Sequence, residues 1–249
     1  MVQINYTSKM MNIIKVKNYE EMSKKAANYM EDLLKENSKL NACYAVGGTS
    51  IGMFNELIRK FHEGKVNFKD TKAFVLDEYC NNTYHIESGS KYFLQTYFLN
   101  KVNIKSYNIF SPNADQEDLE EACRDYDQLL SDCGIDVAIL GIGANGHIAY
   151  NEPNTSFDSL SHISKLEFKT RWDRQRFFGN NIAETPTHAL TMGIKNIMNC
   201  KKILLLISGA DKNEAFKRLI NGEVNEAFPA SILLRHSDVT IIVDEAAYA

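Results

Sequence analysis

The chain has 249 residues, of which 44% are hydrophobic and 24% charged, a composition typical of globular proteins and too apolar for intrinsic disorder. The formal net charge is -4 without any block of Lys or Arg, which excludes the basic surface of a nucleic-acid-binding protein. No signal peptide, no apolar run near the ~20 residues of a membrane span and no CxxC pair is evident, so we expect a cytoplasmic protein with free thiols, no zinc site and no membrane partner.

Short apolar runs alternate with amphipathic segments along the chain. The runs are rich in Val, Ile and Leu and apolar on both faces, which is typical of strands in a covered parallel sheet. The predicted strands are Ile13–Val16, Cys43–Val46, Ala73–Leu76, Val137–Leu140, Ile203–Ile207 and Thr240–Val243. The predicted helices include Tyr19–Lys35, Ile51–Phe61, Tyr92–Val102 and Leu119–Cys133. This alternation predicts one domain over residues 1–249, a three-layer α/β/α sandwich with a mostly parallel, Rossmann-like sheet.

One segment interrupts the alternation. Between Asn151 and about Pro186 no clear strand–helix unit is visible, and charged and aromatic residues crowd together. A long irregular insert in a compact domain is commonly an active-site lid or a binding loop. We therefore expect an irregular insert near the ligand.

Candidate ligand-binding residues follow the second and third predicted strands, because ligands of α/β sheets bind beyond the carboxyl ends of the strands. After the second strand, Gly47, Gly48 and Thr49 lead into a helix, and glycine N–H groups at a helix N-terminus suit an anion such as phosphate. The alternative there is a tight turn with a Ser/Thr helix cap. After the third strand, Asp77 and Glu78 form an acidic pair suited to base catalysis, or else a helix cap or a solvated pair.

A glycine-rich loop, Gly141–Gly146, follows the fourth predicted strand and has the spacing GxGxxG of a dinucleotide-binding motif. That motif should open a long helix in the first βα unit, whereas Pro153 ends any helix here within two turns, so we reject dinucleotide binding. We expect the loop to present Asn145, His147 and Glu152 to one pocket.

Two cationic residues complete the set of candidates. Lys212 follows the fifth predicted strand at the start of a helix, and Arg176 lies in the insert. Either residue alone could be a solvated surface charge. Together with Gly48 they converge on one edge of the predicted sheet, as a phosphate site requires.

Taken together, these motifs resemble the glucosamine-6-phosphate deaminase (isomerase) family, within a broader group that includes 6-phosphogluconolactonases. The stretch GHIAYNEP is the most specific, since lactonases of the broader group lack its glutamate. The matching segments keep the family's order and cover essentially the whole chain: GGTS (Gly47–Ser50), LDEY (Leu76–Tyr79), LGIGANGHIAYNEP (Leu140–Pro153), RFF (Arg176–Phe178), ALTMGI (Ala189–Ile194) and SGADK (Ser208–Lys212).

The resemblance implies conversion of glucosamine 6-phosphate to fructose 6-phosphate and ammonia, without a metal or organic cofactor. It implies that Asp77 is the base that moves a proton between C2 and C1. It also implies that His147 opens the sugar ring, with Asn145 and Glu152 setting its orientation, and that a mobile lid covers about residues 166–188. The candidate phosphate- and substrate-binding residues are Gly47, Gly48, Thr49, Glu78, Gly143, Arg176 and Lys212.

Three departures from the family's pattern affect these expectations. Many relatives carry Asp at the position of Asn145, so His147 should be less basic here, because an amide supplies no charge. Val46 stands where relatives often have a hydroxyl. His162 and Ser164 replace basic residues of allosterically activated members, which predicts no activation by N-acetylglucosamine 6-phosphate.

The residues leave several alternatives open. Galactosamine 6-phosphate is an alternative substrate. A 6-phosphogluconolactonase-like hydrolase is a second alternative, against which Glu152 argues. A catalytically silent regulator that binds sugar phosphates is a third. No self-association motif is legible, so we expect a monomer or a small homo-oligomer.

Overall fold

Eleven strands form two sheets in the computed structural model, which describes residues 2–6, 9–80 and 86–249. The strands are β1 (Val2–Tyr6), β2 (Lys9–Val16), β3 (Asn41–Tyr44), β4 (Lys72–Val75), β5 (Asp77–Tyr79), β6 (Ile109–Phe110), β7 (Val137–Leu140), β8 (His162–Lys165), β9 (His188–Thr191), β10 (Lys202–Ile207) and β11 (Val239–Asp244). The main sheet has the order β1-β2-β11-β10-β7-β3-β4-β6, and a smaller sheet has the order β5-β9-β8.

The neighbouring strands β2, β11, β10, β7, β3, β4 and β6 of the main sheet are all parallel. Within the described residues, only the edge strand β1 of this sheet pairs antiparallel, with β2. Each of the six predicted strands corresponds to a strand of this sheet, and the predicted α/β/α class is confirmed. β1 and β6 are not among the strands predicted from apolar runs. β6 has two residues, too few to form a recognisable apolar run.

Helices cover both faces of the main sheet. They are α1 (Tyr19–Glu36), α2 (Gly48–His62), α3 (Ser90–Tyr97), α4 (Leu119–Cys133), α5 (Phe168–Arg174), α6 (Ile194–Met198), α7 (Asn213–Asn221) and α8 (Glu245–Tyr248). Successive residues of β7 alternate between two cores: Val137 and Ile139 pack with α1, α2 and α3, while Ala138 and Leu140 pack with α4, α6, α7 and α8. This alternation explains why the strands are apolar at every position.

Local signals in the sequence set the ends of the long helices. The side chain of Asn18 accepts a hydrogen bond from the N–H of Glu21 and begins α1, and Asp118 caps α4 in the same way. α4 ends at Gly134, which has a φ of 64° that favours glycine. Within the described residues, no helix has both the length and the apolarity needed to cross a membrane.

The small sheet lies in and beside the segment expected to be irregular. The chain leaves the main sheet at Leu76 and enters β5 at Asp77, so this aspartate stands at the junction of the two sheets. The insert is more regular than expected, since it contains β8 and α5. Both elements are short and polar, and β8 is ordered by pairing with β9 rather than by an apolar run of its own.

Candidate active site

A cavity of about 440 Å³ opens beyond the carboxyl ends of β3, β4, β7 and β10. The residues directly after these four strands contribute to its wall, and α5 with the turn that follows it contributes the remaining side. This is the position at which α/β sheets bind ligands, because loops from neighbouring parallel strands meet at one edge.

One end of the cavity combines cations with a helix N-terminus. Gly48 and Thr49 begin α2 and line the wall with Arg176 and Lys212. We call these four residues the cradle. The first N–H groups of a helix have no partner within the helix, so they are available to an anion. The structure thus brings Arg176 and Lys212, which are 36 residues apart in sequence, to the wall of one cavity, and Nη2 of Arg176 would lie 3.7 Å from a Cβ on Gly48.

Tyr19 holds the first turn of α2 in place. Its hydroxyl donates to the carbonyl oxygen of Gly48 at 2.8 Å and accepts from the N–H of Gly52 at 2.8 Å. Tyr19 also lines the cavity, a role that no sequence motif predicts, because it is the first residue of a different helix.

Asp77 lies in the cavity wall and is buried. Its Oδ1 accepts a hydrogen bond from the hydroxyl of Ser90 at 2.9 Å. Burial raises the pKa of Asp77 to about 6, against the lowering effects of the Arg174 charge and the Ser90 hydrogen bond. The carboxylate is therefore a stronger base than an exposed aspartate and is still mostly ionised at neutral pH.

The neighbouring acid, Glu78, has a different position. Its carboxylate accepts hydrogen bonds from the backbone N–H groups of Ser90 at 2.8 Å and Lys91 at 2.9 Å, at the start of α3. Glu78 does not contribute to the described wall of the cavity. This contact agrees with the helix-cap alternative for the acidic pair. Gly89, at the N-cap position of α3, has no side chain, so the Glu78 carboxylate accepts the hydrogen bonds there instead.

The imidazole of His147 faces the cavity and is held from behind by an amide. Oδ1 of Asn145 lies 2.8 Å from Nδ1 of His147. The amide nitrogen of Asn145 donates to the carboxylates of Glu152 at 2.8 Å and Glu167 at 3.0 Å. Because carboxylates only accept hydrogen bonds, the NH₂ group of Asn145 must be the group that faces them. The amide oxygen therefore faces the imidazole, and Nδ1 of His147 must carry the proton of the hydrogen bond that this oxygen accepts. Nε2 of His147 then has a free lone pair.

Glu152 influences the imidazole through the amide. Its Oε2 is 3.6 Å from Nδ1 of His147, too far for a hydrogen bond, but it bonds directly to Asn145. Burial, together with the charges of Arg174 and Lys212, lowers the pKa of His147 to about 3. His147 is therefore neutral over the whole physiological range of pH.

Gly143 makes room for the imidazole. A Cβ atom on Gly143 would lie 2.3 Å from Cε1 and Nδ1 of His147, a distance that no side chain tolerates. The N–H of Gly143 also donates to the carbonyl oxygen of His147 at 2.9 Å, which closes the loop. The glycine spacing of this loop thus accommodates a side chain of the protein.

Comparison with known proteins shows the family of the chain. The family model for glucosamine-6-phosphate isomerases/6-phosphogluconolactonase matches residues 15–242. The chain belongs to this family. It is 44% identical over 240 residues to a glucosamine-6-phosphate deaminase of Clostridium acetobutylicum, covering 95% of this chain and 98% of that protein.

Solved structures extend the family relationship to the fold. A monomeric glucosamine-6-phosphate deaminase superposes with a TM-score of 0.92 at 39% identity, covering 95% of this chain and 98% of that one. A 6-phosphogluconolactonase from Thermotoga maritima gives a TM-score of 0.72 at 18% identity, covering 94% and 100% of the two chains, and shares the fold alone.

The cavity also contains Arg174, which no sequence motif predicts as a site residue. This residue ends α5, lines the cavity, and donates from both Nη atoms to the carbonyl oxygen of Val46, each at 3.3 Å. The insert also contains Arg171, whose guanidinium instead binds the carbonyl oxygens of Ile182 and Thr185. Nothing in the sequence distinguishes the two arginines, because only the rotation of α5 determines which one faces the cavity.

Proposed function

We propose that this protein converts glucosamine 6-phosphate to fructose 6-phosphate and ammonia, as an amino-sugar-phosphate isomerase and deaminase. The observation that carries the proposal is the single cavity that Asp77 and His147 share with the cradle. Relatives named glucosamine-6-phosphate deaminase, at 44% identity over 240 residues, support the same substrate. The proposal includes a role in N-acetylglucosamine catabolism in the cytoplasm, as a monomer or small homo-oligomer.

The cradle would bind the phosphate group. The guanidinium of Arg176 and the ammonium of Lys212 supply charge, and the N-terminus of α2 supplies N–H donors. Anchoring the phosphate holds C1 and C2 of the sugar near Asp77 and His147, which lowers the entropic part of the barrier. Closure of residues 166–188 as a lid would exclude water during the reaction.

Ring opening is the role of His147. The lone pair on Nε2 accepts the proton of the C1 hydroxyl, and the imidazolium returns this proton to the ring oxygen as the bond between C1 and that oxygen breaks. The product is the open-chain aldehyde. Because the pKa of His147 is lowered to about 3, the ring begins the step in its neutral form.

Isomerisation is the role of Asp77. Its carboxylate removes the proton from C2, the C–H electron pair forms a C1=C2 double bond, and the carbonyl electron pair moves to the C1 oxygen. The C1 oxygen takes a proton from the ammonium group at C2. Asp77 then delivers its proton to C1, while the freed nitrogen lone pair forms a C2=N double bond. Water adds to C2 of the resulting imine and ammonia leaves, which yields the ketose. A pKa of about 6 suits a group that must both take and return a proton near neutral pH.

The test is an assay of ammonia release from glucosamine 6-phosphate and galactosamine 6-phosphate, measured side by side with hydrolysis of 6-phosphogluconolactone. We expect ammonia and fructose 6-phosphate in equal amounts from glucosamine 6-phosphate, and slower or no turnover of the other two compounds. Faster release from galactosamine 6-phosphate would transfer the proposal to that epimer. Lactone hydrolysis without ammonia, or binding without any turnover, would refute it.

The matched control for this assay is Asp77→Asn, which keeps the size of the side chain and an oxygen that can accept from Ser90. Turnover should fall at least 1000-fold, because an amide does not accept the C2 proton, while the dissociation constant for the phosphosugar should stay within about threefold. Equal loss of binding and turnover would show that Asp77 is not the base.

A further inference from the structure

The guanidinium of Arg174 is fixed inside the cavity. Its two Nη atoms donate to the carbonyl oxygen of Val46, two residues beyond the end of β3, and its Cζ lies 5.7 Å from the ring centroid of Tyr150. The guanidinium also lies close to Gly47, because a Cβ atom built on Gly47 would be 3.4 Å from Nη1 of Arg174. A guanidinium has five N–H donors, and the other three make no hydrogen bond within the described part of the chain.

The charge of Arg174 acts on both proposed catalytic side chains, which distinguishes this residue from the cradle. Its charge lowers the pKa of both Asp77 and His147, and on His147 its effect is larger than that of Lys212. Arg174 lines the same cavity as Asp77 and His147, and its guanidinium lies over the ring of Tyr150, whose centroid is 6.5 Å from that of the imidazole. The guanidinium therefore faces the space that the carboxylate and the imidazole share. That space is where C1 and C2 of the sugar must lie if Asp77 and His147 are to reach them.

The isomerisation step needs a donor in this space. Removal of the C2 proton is feasible only when the carbonyl at C1 is polarised, because negative charge develops on its oxygen. His147 does not supply this donor, since its proton is on Nδ1, where it binds Asn145, and Nε2 presents only a lone pair. Because Asn145 holds the imidazole in this form, another side chain must donate a hydrogen bond to the C1 oxygen.

We infer that Arg174 is a catalytic residue whose free N–H groups donate to the C1 oxygen of the open-chain sugar and stabilise the oxyanion formed when Asp77 removes the C2 proton. The inference rests on the proposed function and adds a residue to it. In the step, the C2–H electron pair becomes the C1=C2 bond and the carbonyl pair becomes the oxyanion. The oxyanion then takes a proton from the ammonium group at C2, so Arg174 remains charged throughout.

The test compares Arg174→Gln and Arg174→Lys with two cradle variants, Arg176→Gln and Lys212→Ala. Loss of one oxyanion donor reduces turnover by about 100- to 1000-fold. We therefore expect kcat of Arg174→Gln to fall by about that factor with KM within threefold, and Arg174→Lys to recover part of the loss. The cradle variants should instead raise KM with a smaller change in kcat.

A binding measurement separates catalysis from structure. The hydroxamate of arabinonic acid 5-phosphate mimics the planar intermediate with a negative oxygen at the position of O1, whereas glucitol 6-phosphate has the same phosphate but no carbonyl. Arg174→Gln should weaken binding of the hydroxamate at least 30-fold and leave glucitol 6-phosphate unchanged. The acid limb of kcat/KM should also move to higher pH, because the pKa of Asp77 is no longer lowered by the guanidinium.

Three outcomes would overturn the inference. The first is a kcat for Arg174→Gln within threefold of the original protein. The second is equal weakening of both ligands, which would make Arg174 part of the phosphate site. The third is an unshifted acid limb together with unchanged hydroxamate affinity. If the unsubstituted protein releases no ammonia from glucosamine 6-phosphate, the proposed function fails, and this result is distinct from each of the three.

Discussion

Oδ1 of Asn145 lies 2.8 Å from Nδ1 of His147, and this contact determines which nitrogen of the imidazole faces the cavity. The amide keeps its orientation because its nitrogen is bonded to Glu152 and Glu167. An aspartate at this position would add a negative charge beside the ring and would lose both of these donor contacts. The amide therefore favours a neutral imidazole that accepts protons from the cavity side.

Replacement of this amide by a carboxylate should make the imidazole more basic. In Asn145→Asp, the pKa of His147 should rise from its low value near 3, because an adjacent negative charge favours the imidazolium. The titration can be followed by NMR of the histidine side chain. Asn221→Asp adds the same charge at an exposed position at the end of α7 and is the control. An unchanged titration of His147 would contradict the orientation assigned to the amide.

Activity should depend on pH through Asp77. The group is active as a carboxylate, and burial raises its pKa to about 6, so kcat/KM should fall tenfold for each pH unit below about 6. The measurement is a pH–rate profile between pH 4.5 and 8. As a control, the protein is incubated at each pH and then assayed at neutral pH to show that it remains active. An acid limb centred near pH 4 would mean that Asp77 titrates like an exposed aspartate.

Asp77 should also destabilise the folded protein at neutral pH. Its pKa is about 6 when folded and 3.8 ordinarily, so ionisation costs the folded state about 3 kcal/mol above pH 6. Asp77→Asn should therefore raise the free energy of unfolding by roughly this amount at pH 8, as judged by urea denaturation. The difference should shrink as the pH falls from 6 and vanish below about 3.8, where the carboxyl is protonated in both states. Equal stability of the two proteins at pH 8 would argue against a costly buried charge.

Two of the three glycines of the loop after β7, Gly141 and Gly143, offer a paired test of space. A methyl group on Gly143 would meet the His147 ring at 2.3 Å, whereas a methyl group on Gly141 has no neighbour within 4 Å. Gly143→Ala should therefore displace the imidazole and reduce kcat at least 100-fold. Gly141→Ala should retain activity within a few-fold. The comparison of kcat between the variants is the measurement, and similar loss in both would indicate a general need for glycine in the loop.

The enzyme should show no activation by N-acetylglucosamine 6-phosphate. His162 and Ser164 stand in β8 where activated members of the family carry basic residues, and neither supplies a fixed positive charge for a phosphate. We expect hyperbolic kinetics with and without the compound at millimolar concentration. A sigmoidal curve that becomes hyperbolic when the compound is added would show that a regulatory site exists elsewhere.

The sequence by itself determined the class of fold and much of the catalytic loop. The six apolar runs could only become strands covered on both faces, and residues just after them had to meet at one edge of a parallel sheet. Asp77, His147, Gly48, Arg176 and Lys212 were selected from the sequence as candidates, and all five line one cavity. These are consequences of local pattern and of the direction of parallel strands.

Only the tertiary structure decided the placement of side chains from short or polar elements. β5 has three residues and β8 has four, and both are held in place by pairing with β9. The local sequence therefore does not predict them. The separate positions of Asp77 and Glu78 follow from β5, since neighbouring residues of a strand face opposite sides. Arg174 faces the cavity because of the rotation of α5 against the sheet, which depends on contacts between residues distant in sequence.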